Sequence, residues 1–219
     1  MSSFADLEKC IQANISAPSN DIRTKAELHL KQLKEKYPQQ FFEGISQLIM
    51  KSKDGQVRSF CAVLLKQNLG IFDDAFFKLP ANSQNNIKHF LLNQIENEGD
   101  IHITRHIAEC IACLTSLLAG NTQNGSSWKE LLPFLMKLAG SKHAFKRAAF
   151  YACIDQLASN AMDTLRGGLN MNDLRDALVK GLQDKTDCVR ECALSAVVSL
   201  LCELSEMAEL HYFHKMVPL

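Results

Sequence analysis

Apolar residues recur along this chain at spacings of three and four, and no stretch of sustained alternation competes with that pattern. The reading is therefore helical throughout. Residues 3–16 and 20–37 form a first pair of helices, the second carrying an apolar stripe of Ile22, Ala26, Leu30 and Leu33 behind a cap at Asn20 or Asp21. Pro38 suits the first turn of a new helix whose inner face is Phe41, Phe42, Ile45, Leu48 and Ile49. Asp54 caps the next helix and Gly70 stops it, with Val57, Cys61, Leu64, Leu65 and Asn68 on one face. The link at 71–80 holds Phe72, Phe76, Phe77 and Leu79, which are expected to pack down on the preceding pair. Helices follow over 82–98 and 100–119, then a loop at 120–126 rich in Asn and Gly. Residues 128–139 and 142–159 make a fourth pair, Arg166-Gly167-Gly168 a break, and 171–183 with 187–204 a fifth pair. Residues 208–219 read as the opening of a sixth pair, so the chain is expected to be part of a longer one.

The second helices open alike. Ile22-Arg23-Thr24-Lys25-Ala26, Val57-Arg58-Ser59-Phe60-Cys61, Thr104-Arg105-His106-Ile107-Ala108, Phe145-Lys146-Arg147-Ala148-Ala149 and Val189-Arg190-Glu191-Cys192-Ala193 start 35, 47, 41 and 44 residues apart. Helix pairs at this period are those of HEAT-type repeats, about 40–47 residues long. The expected fold class is all-α, an α-solenoid of antiparallel helix pairs forming a superhelix, because one pair cannot bury its own apolar face. The expected repeats are 3–37, 38–70, 81–119, 127–159 and 170–204, with 207–219 starting a sixth. The small fifth residue lets neighbouring helices approach, and the basic residue is expected to pair with an acidic group or helix end in the adjacent repeat.

Composition narrows the function. Lys+Arg and Asp+Glu are both 24, so the chain lacks the basic excess of a general nucleic-acid binder, and no direct nucleic-acid contact is expected. No membrane span is expected either: the most apolar run, 107–119, is interrupted by Glu109 and is too short. The first residues lack the basic-then-apolar order of a secretory signal. Eight cysteines in that setting fit reduced thiols rather than a disulfide framework.

The run Ala26-Glu27-Leu28-His29-Leu30-Lys31-Gln32-Leu33, then Pro38-Gln39-Gln40-Phe41, then Val57-Arg58 through Leu64-Leu65-Lys66-Gln67-Asn68-Leu69, resembles the N-terminal domain of importin-β (karyopherin-β) transport receptors. Trp128-Lys129-Glu130-Leu131-Leu132-Pro133-Phe134-Leu135 and the stretch from Phe72 to Leu79-Pro80 look most like the importin-β3 subgroup. The resemblance implies a nuclear import or export receptor that shuttles between cytoplasm and nucleus and binds protein cargo, Ran-GTP and Phe-Gly nucleoporins. It also implies that first helices line a convex side and second helices a concave side, with Ran-GTP on the concave helices of the first few repeats and much cargo recognition in later ones. A HEAT-repeat scaffold subunit of an unrelated complex is the alternative.

A helical wheel with Ile22, Val57 and Thr104 at the core centre turns Glu27, Lys31, Lys34, Ser59, Lys66, His106 and Glu109 outward; these are the Ran-side candidates. Phe-Gly peptides need shallow apolar slots between first helices, and Leu132, Leu135, Met136, Leu174, Leu178 and Leu182 are placed to frame one, Leu135, Met136, Leu174 and Leu178 above all.

Catalytic and metal chemistry finds no footing. His102, His106, Cys110 and Cys113 share a broad helix face, yet a span of about 16 Å cannot close on one zinc ion. Cys110-Ile111-Ala112-Cys113 lacks the preceding strand of a thiol-redox unit, and Gly167-Gly168 lacks the rest of a phosphate loop. Lys142, His143, Lys146 and Arg147 form a compact basic cluster whose default is a solvated helix start. No enzyme, cofactor or metal is expected.

Overall fold

The structure, a computed structural model, describes residues 4–70, 75–120, 128–204 and 213. The described residues form ten helices and no strand: α1 (Phe4–Ser16), α2 (Asn20–Lys36), α3 (Pro38–Lys51), α4 (Gly55–Asn68), α5 (Ala81–Asn97), α6 (Ile101–Gly120), α7 (Leu131–Ala139), α8 (Ala144–Gly168), α9 (Met171–Leu182) and α10 (Asp187–Leu204). The all-α reading holds. Two compact units divide the chain at Leu91/Leu92, within α5. The loop expected at 120–126 and the sixth pair at 207–219 fall almost wholly outside the described residues, as does Phe72.

In the first unit α1 packs on α2, α3 and α4, α2 on α3, and α3 on α4. Pro38 begins α3 because its missing N–H falls where a helix has no partner for one. The α3 face of Phe41, Phe42, Ile45, Leu48 and Ile49 is buried to 3% exposure or less. Gly44 permits the α1 contact: a Cβ there would lie 2.5 Å from Leu7 Cδ2. Asp54 caps α4, its Oδ1 accepting from the Gln56 N–H at 2.8 Å and the Val57 N–H at 3.5 Å. The cap of α2 is Ser19 and not Asn20 or Asp21, since its Oγ accepts from the Ile22 N–H. Phe76 and Leu79 of the following link are buried, as the apolar content of that link requires.

In the second unit α8 is the centre, packed against α6, α7, α9 and α10. Close stacking of α6, α8 and α10 is helped by small buried residues among the larger ones, Ala108, Ala112, Ala148, Ala149, Ala193 and Ala196, all at 1% exposure or less. The expected break at Arg166-Gly167-Gly168 coincides with the end of α8, which stops at Gly168 before α9 begins at Met171. Helix α8 is also interrupted earlier, at Ala161 (φ −150°, ψ 43°), and resumes as far as Gly168. Gly168 also serves contact: a Cβ there would sit 2.3 Å from Leu132 Cδ1.

The repeated opening also needs correction at two places. Val57, Thr104 and Val189 are buried to 1% exposure or less, but Ile22 is 42% and Phe145 is 49% exposed. The fourth opening is one residue later, at Lys146-Arg147: burial then falls on Ala149, Phe150, Cys153, Ile154 and Leu157, matching Cys192, Ala193, Ala196, Val197 and Leu200 counted from Val189. With starts at 104, 146 and 189 the spacing becomes 42 and 43 residues. Arg147 and Arg190 then play the same part, donating from Nη1 to the carbonyls of Ser141 and Asp184, each six residues back. The basic residue thus ties the turn within its own pair, and Arg147 also reaches the next pair through Asp184.

Candidate functional site

Helix α2 buries little beyond Ala26 and Leu30, its main contacts being with α1 and α3. One step around the helix, about 100° on, lies a stripe of Arg23, Glu27, Lys31 and Lys34. It faces Phe60, Leu64, Gln67 and Asn68 of α4 across an open groove of about 540 Å³, with Asn14, Leu30 and Phe41 beneath. Three cations and one carboxylate on the α2 side give it a positive rim, while α4 supplies half-buried Phe60 and Leu64. The floor is polar at two points. Asn14 and Asn68 are 6% and 5% exposed, and each donates its amide N–H to the carbonyl four residues back, Cys10 at 3.1 Å and Leu64 at 2.6 Å. Each keeps a carboxamide oxygen as its remaining acceptor. Such a groove can hold a protein surface offering carboxylates beside an apolar residue.

The Ran-side candidates separate in space. Glu27, Lys31 and Lys34 come together in the groove; Ser59 and Lys66 are half-buried on α4 and are not part of its lining. His106 and Glu109 lie on α6 in the second unit, with His106 Nδ1 3.6 Å from Glu109 Oε2. Arg23, Phe60, Leu64, Gln67 and the two asparagines were not foreseen as site residues. Arg23 had a signal, standing four before Glu27; the α4 wall had none, because core and groove lining share an apolar character.

The proposed slot residues need correction. Leu135, Leu174 and Leu178 have 0% exposure and Leu132 7%, while Met136 is half-buried. Leucines at helical spacing on α7 and α9 are the faces pressed against α8 and α10, so they cannot serve as open anchors.

Among the described residues no three His, Cys, Asp or Glu side chains are grouped to hold a metal ion, and no helix is long and apolar enough to cross a membrane. His102 is exposed, Cys113 half-buried and Cys110 buried, so the suspected ligands point to different surroundings. Among the described residues the cysteines are not joined in disulfides. Burial, with the charge of Glu8 adding to it, pushes Cys61 up to about 12, and burial also raises Cys153, so neither is a ready thiolate.

The helix pairs and the period of their openings place the chain in the class of helical-repeat proteins. The chain belongs to the importin-β family: residues 26–96 match the family model "Importin-beta N-terminal domain" and 99–219 the model "IPO5-like, TPR repeats". The 42- and 43-residue spacing of the openings is longer than the 34 residues of a tetratricopeptide repeat and agrees with HEAT-type pairs. No curated protein matches the chain. Among solved structures it is similar to Kap95p, the yeast importin-β, in a structure with RanGDP (20% identity, TM-score 0.78, covering 97% of this chain and 25% of that one). It is also similar to Kap95 in complex with Nup1 (19%, 0.75, 97% and 26%) and to Kap121p bound to Pho4p (21%, 0.74, 95% and 19%). The chain spans about a quarter or less of the length of these structures.

Proposed function

We propose that this chain is part of a nuclear transport receptor and that the α2–α4 groove is a docking surface for Ran in its GTP form. The observation that carries the reading is the meeting of Glu27, Lys31 and Lys34 with Arg23, opposite Phe60 and Leu64, in one groove whose residues named here, apart from Arg23, fall within the importin-β N-terminal match. The similar structures give support by kind: Kap95p with RanGDP, Kap95 with Nup1, Kap121p with Pho4p. On this reading the receptor moves between cytoplasm and nucleus, binds nucleoporins and protein cargo, and performs no covalent chemistry. Ran-GTP then acts by displacement, competing with cargo or reshaping the helical array, whose repeat interfaces add small changes along its length. The test is a titration of the chain, and of a receptor containing it, with Ran loaded with GTP and with GDP. Tighter binding of the GTP form is expected; equal or absent binding by the receptor overturns the reading.

A further inference from the structure

The α2–α4 groove is large enough to hold a small molecule: its volume of about 540 Å³ falls within the roughly 300–1,000 Å³ of such sites. Its charged wall is not engaged within the chain. Arg23, Glu27 and Lys31 stand four residues apart on one face of α2, and among the described residues none of the three makes an ion pair. Two separated cations with a carboxylate between them attract an anion while leaving one acceptor for a hydroxyl group.

The floor adds a second, independent demand. Asn14 and Asn68 are more than nine-tenths buried, and each commits one amide N–H to the carbonyl four residues back. Their carboxamide oxygens accept no hydrogen bond among the described residues. Nor are those oxygens sealed in: the fully buried side-chain atoms without a partner lie on other residues, and both asparagines line the groove. Each amide therefore presents an oxygen and one remaining N–H side by side, the pattern that matches the N6 amino group and N7 of adenine. Guanine offers two acceptors on that edge and would leave the oxygen unmatched. Half-buried Phe60 and Leu64, on α4 with Asn68, give apolar area for a base to lie against.

We propose that the α2–α4 groove binds an adenine nucleotide. The base lies against Phe60 and Leu64 with its amino edge on Asn68, a ribose hydroxyl donates to Glu27, and the phosphates meet Arg23 and Lys31. A bound nucleotide then excludes Ran-GTP from the same surface; that consequence, unlike the nucleotide site itself, rests on the Ran reading given above.

The test is calorimetric titration of the whole chain, without Ran, with ATP, GTP, adenosine and inorganic triphosphate. ATP is expected to bind about tenfold tighter than GTP, and tighter than adenosine or triphosphate. Arg23→Glu, at an exposed position of α2, weakens ATP about tenfold and leaves adenosine unchanged, which keeps the test independent of folding. Asn68→Asp, followed with its melting temperature, removes the N–H offered to N7 and narrows the preference for ATP over GTP. Equal binding of ATP, GTP and triphosphate overturns the proposal in favour of a rim that attracts any anion, and absence of ATP binding overturns it outright. Ran-GTP is then titrated into a receptor containing the chain, with and without saturating ATP. Weaker Ran binding in ATP supports a shared groove. Unchanged Ran binding beside measured ATP binding moves Ran elsewhere and upholds the nucleotide site, whereas GTP-dependent Ran binding with no ATP binding removes the nucleotide site alone.

Discussion

Arg147 holds Asp184 through two parallel hydrogen bonds, Nε to Oδ2 at 2.6 Å and Nη2 to Oδ1 at 2.9 Å, across 37 residues of chain. The same guanidinium donates from Nη1 to the carbonyls of Ser141 and Lys142, and the Thr186 N–H donates to Asp184 Oδ1. Beside it Lys146 Nζ lies 2.8 Å from Glu96. Two adjacent basic residues at the start of α8 therefore bind in opposite sequence directions, one to the helix before the 98–100 turn and one to the turn after α9. Of the compact basic cluster seen in the sequence, Lys146 and Arg147 are occupied by these pairs.

The fork-on-fork geometry predicts a pH-dependent contribution. The Arg147 hydrogen bond, with help from the Thr186 N–H, holds Asp184 at about 2, below its ordinary value of 3.8. A depressed carboxylate stabilises the fold above its unfolded pKa and loses that contribution as pH falls through the folded one. Asp184→Asn is expected to cost about 1–2 kcal/mol at pH 7, allowing for partial exposure of the pair. Urea unfolding of both proteins should show that gap shrinking as pH falls from about 4 towards 2; a constant gap excludes the ion pair as its source.

Packing at Gly181 predicts an inverted glycine-to-alanine effect. Helix propensity alone would make Gly181→Ala stabilising, by roughly 0.5–1 kcal/mol. A Cβ there, however, would lie 2.4 Å from Tyr151 Cζ and 2.7 Å from Ala193 Cβ, and Tyr151 is held in place by its hydroxyl donating to the Ala177 carbonyl at 2.7 Å. A loss of about 1–3 kcal/mol is expected. Gly167→Ala is the control, with nothing within 4 Å of its Cβ, and should be neutral or stabilising by calorimetry.

Position in the groove predicts unequal roles for two lysines that look alike in the sequence. Lys31→Glu should weaken Ran-GTP binding about tenfold, because Lys31 lines the groove and a like-charge contact replaces an attractive one. Lys66→Glu, outside that lining, should have a smaller effect. Titration at two salt concentrations checks this, the Lys31 effect diminishing with salt; equal effects of both reversals would place the contact elsewhere on α4.

Burial predicts that the leucines of α7 and α9 act on stability. Leu178→Ala should cost about 2–5 kcal/mol, and Leu174→Ala a similar amount, since both have 0% exposure. Met136→Ala should cost less. Chemical denaturation distinguishes this from a surface role, in which Leu178→Ala would leave the unfolding midpoint unchanged.

The sequence by itself determined the all-helical class and the family, because helix formation is governed by local spacing and caps that the chain carries on its face. Asp54, Pro38 and the α3 apolar face acted as read, and the openings at Val57, Thr104 and Val189 marked the buried starts of second helices. Only the tertiary structure decided which apolar positions were covered. Ile22 and Phe145 match Val57 in the pattern but lie exposed, and Leu135, Leu174 and Leu178 match a surface slot but are core. An apolar side chain looks the same in the sequence whether a neighbour reaches it or not. The same holds for the glycines at 167 and 168, adjacent in sequence: one meets nothing and the other meets Leu132. The α2–α4 groove combines both lessons, its charged α2 stripe legible from spacing and its α4 wall created only when the second helices come to stand face to face.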